Sequence, residues 1–335
     1  MNNMVLKKLL ILAFISILSA CAAVSPAPEN LACSDRECLK TLVDNYLQAL
    51  VQGNPEQLPF AEDAVFVENV ERKAIGTGLW ETATALPNNY RIYVPDPVSA
   101  QVGFIGLMEA EGDPILLGLR LQVEQGQIIA AEHLISWITN DAMLANLQNP
   151  RAGLLTSIPE SQQLTREELL SIGYSYYPAL DENNGILSPL ADDCVRFENG
   201  MQTSNNSGAA SIFGKMLCGP QLSSNYFQYI DTINNRRVTI ADPETGLVFG
   251  LSHFRHSFDE KETPIYGVQG QSVRDVSMFN PFDMPAMHIF KIGPEGQIHE
   301  IEAILERVPY GMNSGWSTWE QGMSDELQDV TFSED

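Results

Sequence analysis

The chain repeats itself, and that limits its folds more than any other feature. Leu39, Tyr46, Ala49 and Leu50 fall on Leu169, Tyr176, Ala179 and Leu180. Asn54, Pro59, Ala61, Asp63, Val65, Glu68 and Asn69 fall on Asn184, Pro189, Ala191, Asp193, Val195, Glu198 and Asn199. Further on, Asn88-Asn89, Arg91 and Asp96-Pro97 meet Asn234-Asn235, Arg237 and Asp242-Pro243, and Gly126-Gln127-Ile128 with Glu132 meets Gly296-Gln297-Ile298 with Glu302. The order is kept while the spacing grows, as a duplication with loop insertions requires. Any architecture for this chain must therefore be buildable twice.

Each copy opens with a helical pattern. Leu39, Leu42, Val43, Tyr46, Leu47, Leu50 and Val51 keep to one face, and Ser34 with Glu37 has capping-box spacing. The second copy has the same spacing in Thr165 and Glu168, with Pro178 expected to kink or shorten the helix. Extended segments follow in both: 64–70 and 194–198, then 91–94 and 237–240 before the Asp-Pro turns. The rest are 102–109 and 247–256, 115–124 and 286–292, and 128–137 and 298–306. One helix followed by bent antiparallel strands is an α+β plan, a cone-like sheet wrapped on its helix.

The first residues carry an address. Lys7-Lys8 precede the apolar run Leu9 to Leu18, too short to span a bilayer and suited to a signal peptide. Leu18-Ser19-Ala20-Cys21 resembles the bacterial lipobox, which implies a signal peptide over 1–20, a lipidated Cys21 and a membrane anchor. Ala22 instead of Asp points to the outer membrane, facing the periplasm; an ordinary signal peptide cut near Ala20 is the alternative. Residues 21–32 are a tether, 33–150 and 160–310 the two units, and 311–335 an acidic tail.

The remaining cysteines, Cys33, Cys38, Cys194 and Cys218, are even in number in an exported chain and allow three disulfide connectivities. Pairing within each half needs the least topology. With 43 acidic against 19 basic residues the net charge is -24, which excludes a nucleic-acid partner.

The closing segment Gly296-Gln297-Ile298-His299-Glu300-Ile301-Glu302 resembles that of the NTF2-like (SnoaL-like, cystatin-like) fold; the first copy has Ala131 where the second has Ile301. The paired units also resemble exported bacterial and fungal proteins of unknown function, through Cys33-Ser34-Asp35-Arg36 and Glu198-Asn199-Gly200. The resemblance implies two tandem cones forming an internal pseudodimer. It does not choose an activity, because this fold serves enzymes and binders alike.

Enzymes of that fold work inside the cone with Asp, Glu or His as the base, so ionisable residues on apolar strand faces are the candidates. His256 shares a face with Val248 and Phe254, His288 with Ala286 and Phe290, and Glu302 with Ile298 and Ile304 by two-residue alternation. The expectation is that His256, His288 and Glu302 meet in the second cone, as acid-base groups of a cofactor-free lyase, dehydratase or isomerase, or as satisfied structural groups. Glu302 and its counterpart Glu132 read equally as carboxylates that hold the cone together. Asn69 and Asn199 read as turn residues, and the insertion 259–284 as a lid or a surface decoration. No nucleotide loop, nucleophile motif or metal-ligand spacing is present, so no cofactor and no metal are expected. The ligand would be a small oxygenated or apolar molecule, either turned over or only held.

Overall fold

The computed structural model describes residues 33, 35–312, 314 and 315. The segments read above as signal peptide and tether, Cys21, and the acidic tail beyond residue 315 lie outside the described residues, as does Ser34.

Helix α1 spans Arg36–Val51 and buries Leu39, Leu42, Val43, Tyr46, Leu47 and Leu50, the stripe its spacing predicts. Its cap is Asp35, whose carboxylate accepts from the Cys38 N–H at 2.8 Å. Helix α2, Arg166–Asp181, begins with the Thr165–Glu168 capping box. Pro178 does not shorten it: both helices run 16 residues. A proline in the last turn forfeits only a backbone bond near the frayed end.

In the first half the long strands are β1 (Phe60–Glu68), β2 (Arg91–Asp96), β3 (Gln101–Ala110), β4 (Asp113–Glu124) and β5 (Gln127–Trp137). In the second the long strands are β6 (Leu190–Glu198), β7 (Thr232–Asp242), β8 (Leu247–His256), β9 (Phe282–Ile292) and β10 (Ile298–Leu305). Spatial order is β1-β5-β4-β3-β2 in one sheet and β6-β10-β9-β8-β7 in the other, one topology used twice. The sheets are curled and mainly antiparallel, with one exception repeated in each: β1 pairs parallel to β5, and β6 to β10.

One face of each sheet packs on its helix. Val102, Phe104, Leu117 and Leu119 meet α1, and Val248, Phe254, Phe290 and Ile301 meet α2. The other faces pack on each other, burying Ile92, Val94, Ile105 and Leu116 against Ile240, Phe249, Met287 and Ile289. Gly103 permits the closest approach, since a Cβ there would lie 2.3 Å from the Phe249 ring.

Reciprocal ion pairs tie the halves. Arg36, the first residue of α1, reaches Asp242 at the end of β7 with two bonds of 2.8 and 2.7 Å. Arg166, the first residue of α2, reaches Asp96 at the end of β2 at 2.8 Å. The Asp-Pro turns and Arg36 of the Cys-x-Asp-Arg signature thus serve the join between halves. Disulfides close Cys33–Cys38 and Cys194–Cys218, one in each half.

Asn69 and Asn199 both take positive φ, 46° and 49°, as turn residues do. Each side chain also continues the parallel ladder. Asn69 accepts from the Ile135 N–H at 2.8 Å, and Asn199 from that of Leu305 at 2.9 Å.

Candidate functional site

The predicted union of His256, His288 and Glu302 does not occur. The pairing of β10 shifts register against β6 between Ile298 and Glu300, and against β9 between Lys291 and Ile292. One extra residue reverses the face of everything beyond it. Ile298 and Ile301 therefore bury on the α2 side, whereas Ile304 joins the core between the sheets. Glu302 goes with Ile304. It lies opposite Ile289 and accepts from Arg151 at 2.8 Å, far from a role in the cone.

Glu132 has been turned the same way by a register shift between Gln122 and Val123. It sits between the sheets, gripped by Arg120 at 2.6 Å and by two bonds from Arg237, each 2.6 Å. Burial pushes this carboxyl up, but the two guanidinium groups outweigh it and hold it below its usual range. At Glu302 burial prevails over Arg151, and the carboxyl is raised. Both carboxylates thus lie between the sheets, paired with arginines.

The bulge that turns Glu132 outward turns His133 inward. Its Nε2 lies 2.9 Å from the Tyr46 hydroxyl, and its Nδ1 lies 3.2 Å from Glu68. Burial raises the Glu68 carboxyl, yet His133, Lys73 and the Leu79 N–H together bring it down to about 2. Gly78 leaves room for it: a Cβ there would stand 2.1 Å from the Glu68 Oε1. Tyr46, Trp80 and Phe60 pack edge to face around this network.

The second cone differs. Ala303 takes the register position of His133, and Arg196 takes that of Phe66. A chamber of about 70 Å³, lined by Tyr176, Arg196, Glu198, Tyr229, His256 and His288, lies inside. Glu198, Tyr229 and His256 also line a larger open cavity of about 480 Å³ at its mouth. The insertion forms one wall of that cavity through Arg274, Phe279 and Phe282, and the first half contributes Ser136 and Met143. A third hollow of about 420 Å³ adjoins them, bounded by Phe213, Tyr226 and Tyr229 from the connection between β6 and β7.

His256 and His288 both face this side, with the Phe254 ring 6.5 Å from the first and 6.0 Å from the second. His288 Nδ1 is 3.2 Å from the Tyr177 hydroxyl, and burial pushes its ring down to about 3. Burial likewise brings His256 down to about 4, against the Phe282 backbone and Asp283, which favour the charged form. The His256 ring stacks on Phe282 at 4.4 Å, and its buried Nδ1 has no hydrogen-bond partner. Neither histidine has a carboxylate against it of the kind that supports acid-base relay.

Sequence reasoning missed Tyr229, Phe258, Phe282, Arg274 and Arg307. Tyr229, Phe258 and Phe282 form a bank of rings near His256: Tyr229 and Phe258 lie 5.6 Å apart and 5° from parallel, and Phe282 lies 5.5 Å from Phe258. Arg274 lies 3.5 Å over the Tyr226 ring and 4.1 Å over Tyr229, and Arg307 lies 4.5 Å over Phe282. Their signal was the aromatic-rich run Tyr226 to Tyr229 and the size of the second copy's insertions. Among the described residues no group of three or more His, Cys, Asp or Glu side chains could hold a metal ion, and no helix is long and apolar enough to cross a membrane.

Residues 162–305, from just before α2 to the end of β10, match the family model of a domain of unknown function, DUF8021. No match is found among curated proteins. The match falls on the half that holds the cavity and brings no activity with it.

Proposed function

We propose that the protein is an exported lipoprotein, anchored through Cys21 to the periplasmic face of the outer membrane, that binds a small oxygenated molecule at the mouth of its second NTF2-like cone. The first cone serves as a scaffold. The observation that carries this reading is His256, a residue that lines a cavity of about 480 Å³ and whose buried Nδ1 has no hydrogen-bond partner. Leaving such an atom unsatisfied costs about 1–3 kcal/mol, and a ligand hydroxyl or amide would remove the penalty. The cavity size is ordinary for a small-molecule site. Binding without turnover fits better than lyase or isomerase chemistry, since the carboxylate proposed to work with His256 lies on the opposite face of the sheet.

The test is a thermal-shift screen of small hydroxylated and carboxylated compounds against the form lacking residues 1–21 and against its His256→Phe variant. Compounds should raise the melting temperature of the first and not of the second. Hits that act equally on both, or no hit at all, would overturn the reading. Anchoring is tested separately: Cys21→Ser should abolish palmitate labelling and release the protein from the membrane fraction.

A further inference from the structure

The charge arrangement around the cavity narrows the class of ligand. The chain has 12 arginines and more than twice as many acidic as basic residues. Competition for guanidinium groups is therefore strong, and nine arginines pair with an Asp or Glu within 4.0 Å. Arg72 donates to the Gly315 carbonyl. The two that remain, Arg274 and Arg307, have no carboxylate partner among the described residues, and both line the same cavity. Arg274 is held over the Tyr226 and Tyr229 rings with its Nη1 donating to the Tyr226 carbonyl at 2.7 Å, and Arg307 is held over Phe282; each guanidinium plane is fixed and keeps further N–H groups to donate.

The carboxylates on the same wall do not cancel them. Glu198 is taken by Arg196 at 3.2 Å, and burial raises the Glu306 carboxyl toward its neutral form. Beside His256 the wall is aromatic, made of the Tyr229, Phe258 and Phe282 rings.

Resting on the binding reading above, we infer that the ligand is an aromatic carboxylate. Its ring would lie against Phe282 and Tyr229, its carboxylate would accept from Arg274 and Arg307, and a hydroxyl of the ligand would reach His256 Nδ1.

The experiment titrates 2-naphthoate and its uncharged counterpart 2-naphthamide into the form lacking residues 1–21 by calorimetry. Four proteins are compared: the unaltered sequence, Arg274→Gln, Arg307→Gln and Lys40→Gln. Lys40 sits on the exposed face of α1 beside Glu37, so its loss changes net charge equally and leaves the cavity untouched. The acid should bind at least tenfold more tightly than the amide, and each arginine variant should weaken the acid by about tenfold, 1.4 kcal/mol, without affecting the amide. Lys40→Gln should bind like the unaltered protein. If the amide binds as well as the acid, or if Lys40→Gln weakens the acid as much as the arginine variants do, the anionic ligand is overturned while the cavity reading stands. If neither compound binds at millimolar concentration, the aromatic carboxylate is overturned, and the wider screen with His256→Phe decides the cavity reading separately.

Discussion

Single residues show how the two halves have diverged on one topology. His256 is a polar group in an aromatic setting, and removing it has a calculable consequence. Its ring titrates near 4 in the folded protein against an ordinary 6.5. As pH falls from about 6.5 to 4 the unfolded chain takes up a proton that the folded one refuses. The stability tied to this ring is thus fully present above about pH 6.5 and drains away toward pH 4, by about 3 kcal/mol. His256→Phe should flatten the pH dependence of urea-unfolding free energy by that amount in this window. It should also leave stability at pH 7 equal or higher, because an apolar ring of similar shape removes an unsatisfied atom. A variant as steep as the parent between pH 6.5 and 4 would show that the ring is not held neutral. Glu132 is the opposite case. Glu132→Gln leaves Arg120 and Arg237 buried beside a neutral amide, and should cost about 3–5 kcal/mol in chemical unfolding without altering any ligand response. If Glu132→Gln abolished ligand-induced stabilisation while the protein stayed folded, its structural assignment would be wrong.

At the level of elements, the sequence was legible where periodicity is undisturbed and misleading where it slips. The two helices, their apolar stripes and the ten strands follow from spacing and from the ordered identities between copies. The bulges in β5 and β10 do not, since nothing in Gly-Gln-Ile-x-x-x-Glu announces an inserted residue. Strict alternation from Ile128 and Ile298 assigned Glu132 and Glu302 to the wrong face and hid His133. The parallel pairing of β1 with β5 was also unreadable, because sequence patterns carry burial and not strand direction. Part of the cavity wall comes from insertions present in one copy only, which internal comparison cannot align. One of them is tied down by a disulfide: Cys194–Cys218 spans 24 residues, among them Met201, Thr203 and Phe213 of the cavity walls. Replacing both cysteines by Ala should lower stability by about 3 kcal/mol and weaken ligand binding more than the same change at Cys33–Cys38, which spans 5 residues outside the cavity. Equal effects on binding from the two pairs would argue that the connection between β6 and β7 plays no part in the site.

The whole molecule behaves, by its contacts, as a dimer written on one chain. Neither sheet can cover its second face alone. Ile92, Val94, Ile105 and Leu116 on one, and Ile240, Phe249, Met287 and Ile289 on the other, are all below 5 % exposed only because the halves meet. Separated, each half would present an apolar face of the kind that drives association. Each would also break ion pairs: the first would leave Asp96 without Arg166 and Glu132 without Arg237, and the second would leave Asp242 without Arg36. Apolar exposure and unpaired buried charge act in the same direction. Cutting after Asn149, an exposed position in the link between the sheets, gives a test. Residues 33–149 and 150–312 expressed apart should be aggregated or without a cooperative melting transition. Expressed together, they should copurify as a one-to-one complex with the spectrum and melting behaviour of the intact protein. Should residues 150–312 alone prove monomeric, cooperatively folded and able to bind the same compounds, the first half would not be a scaffold, and its retention would need a function of its own.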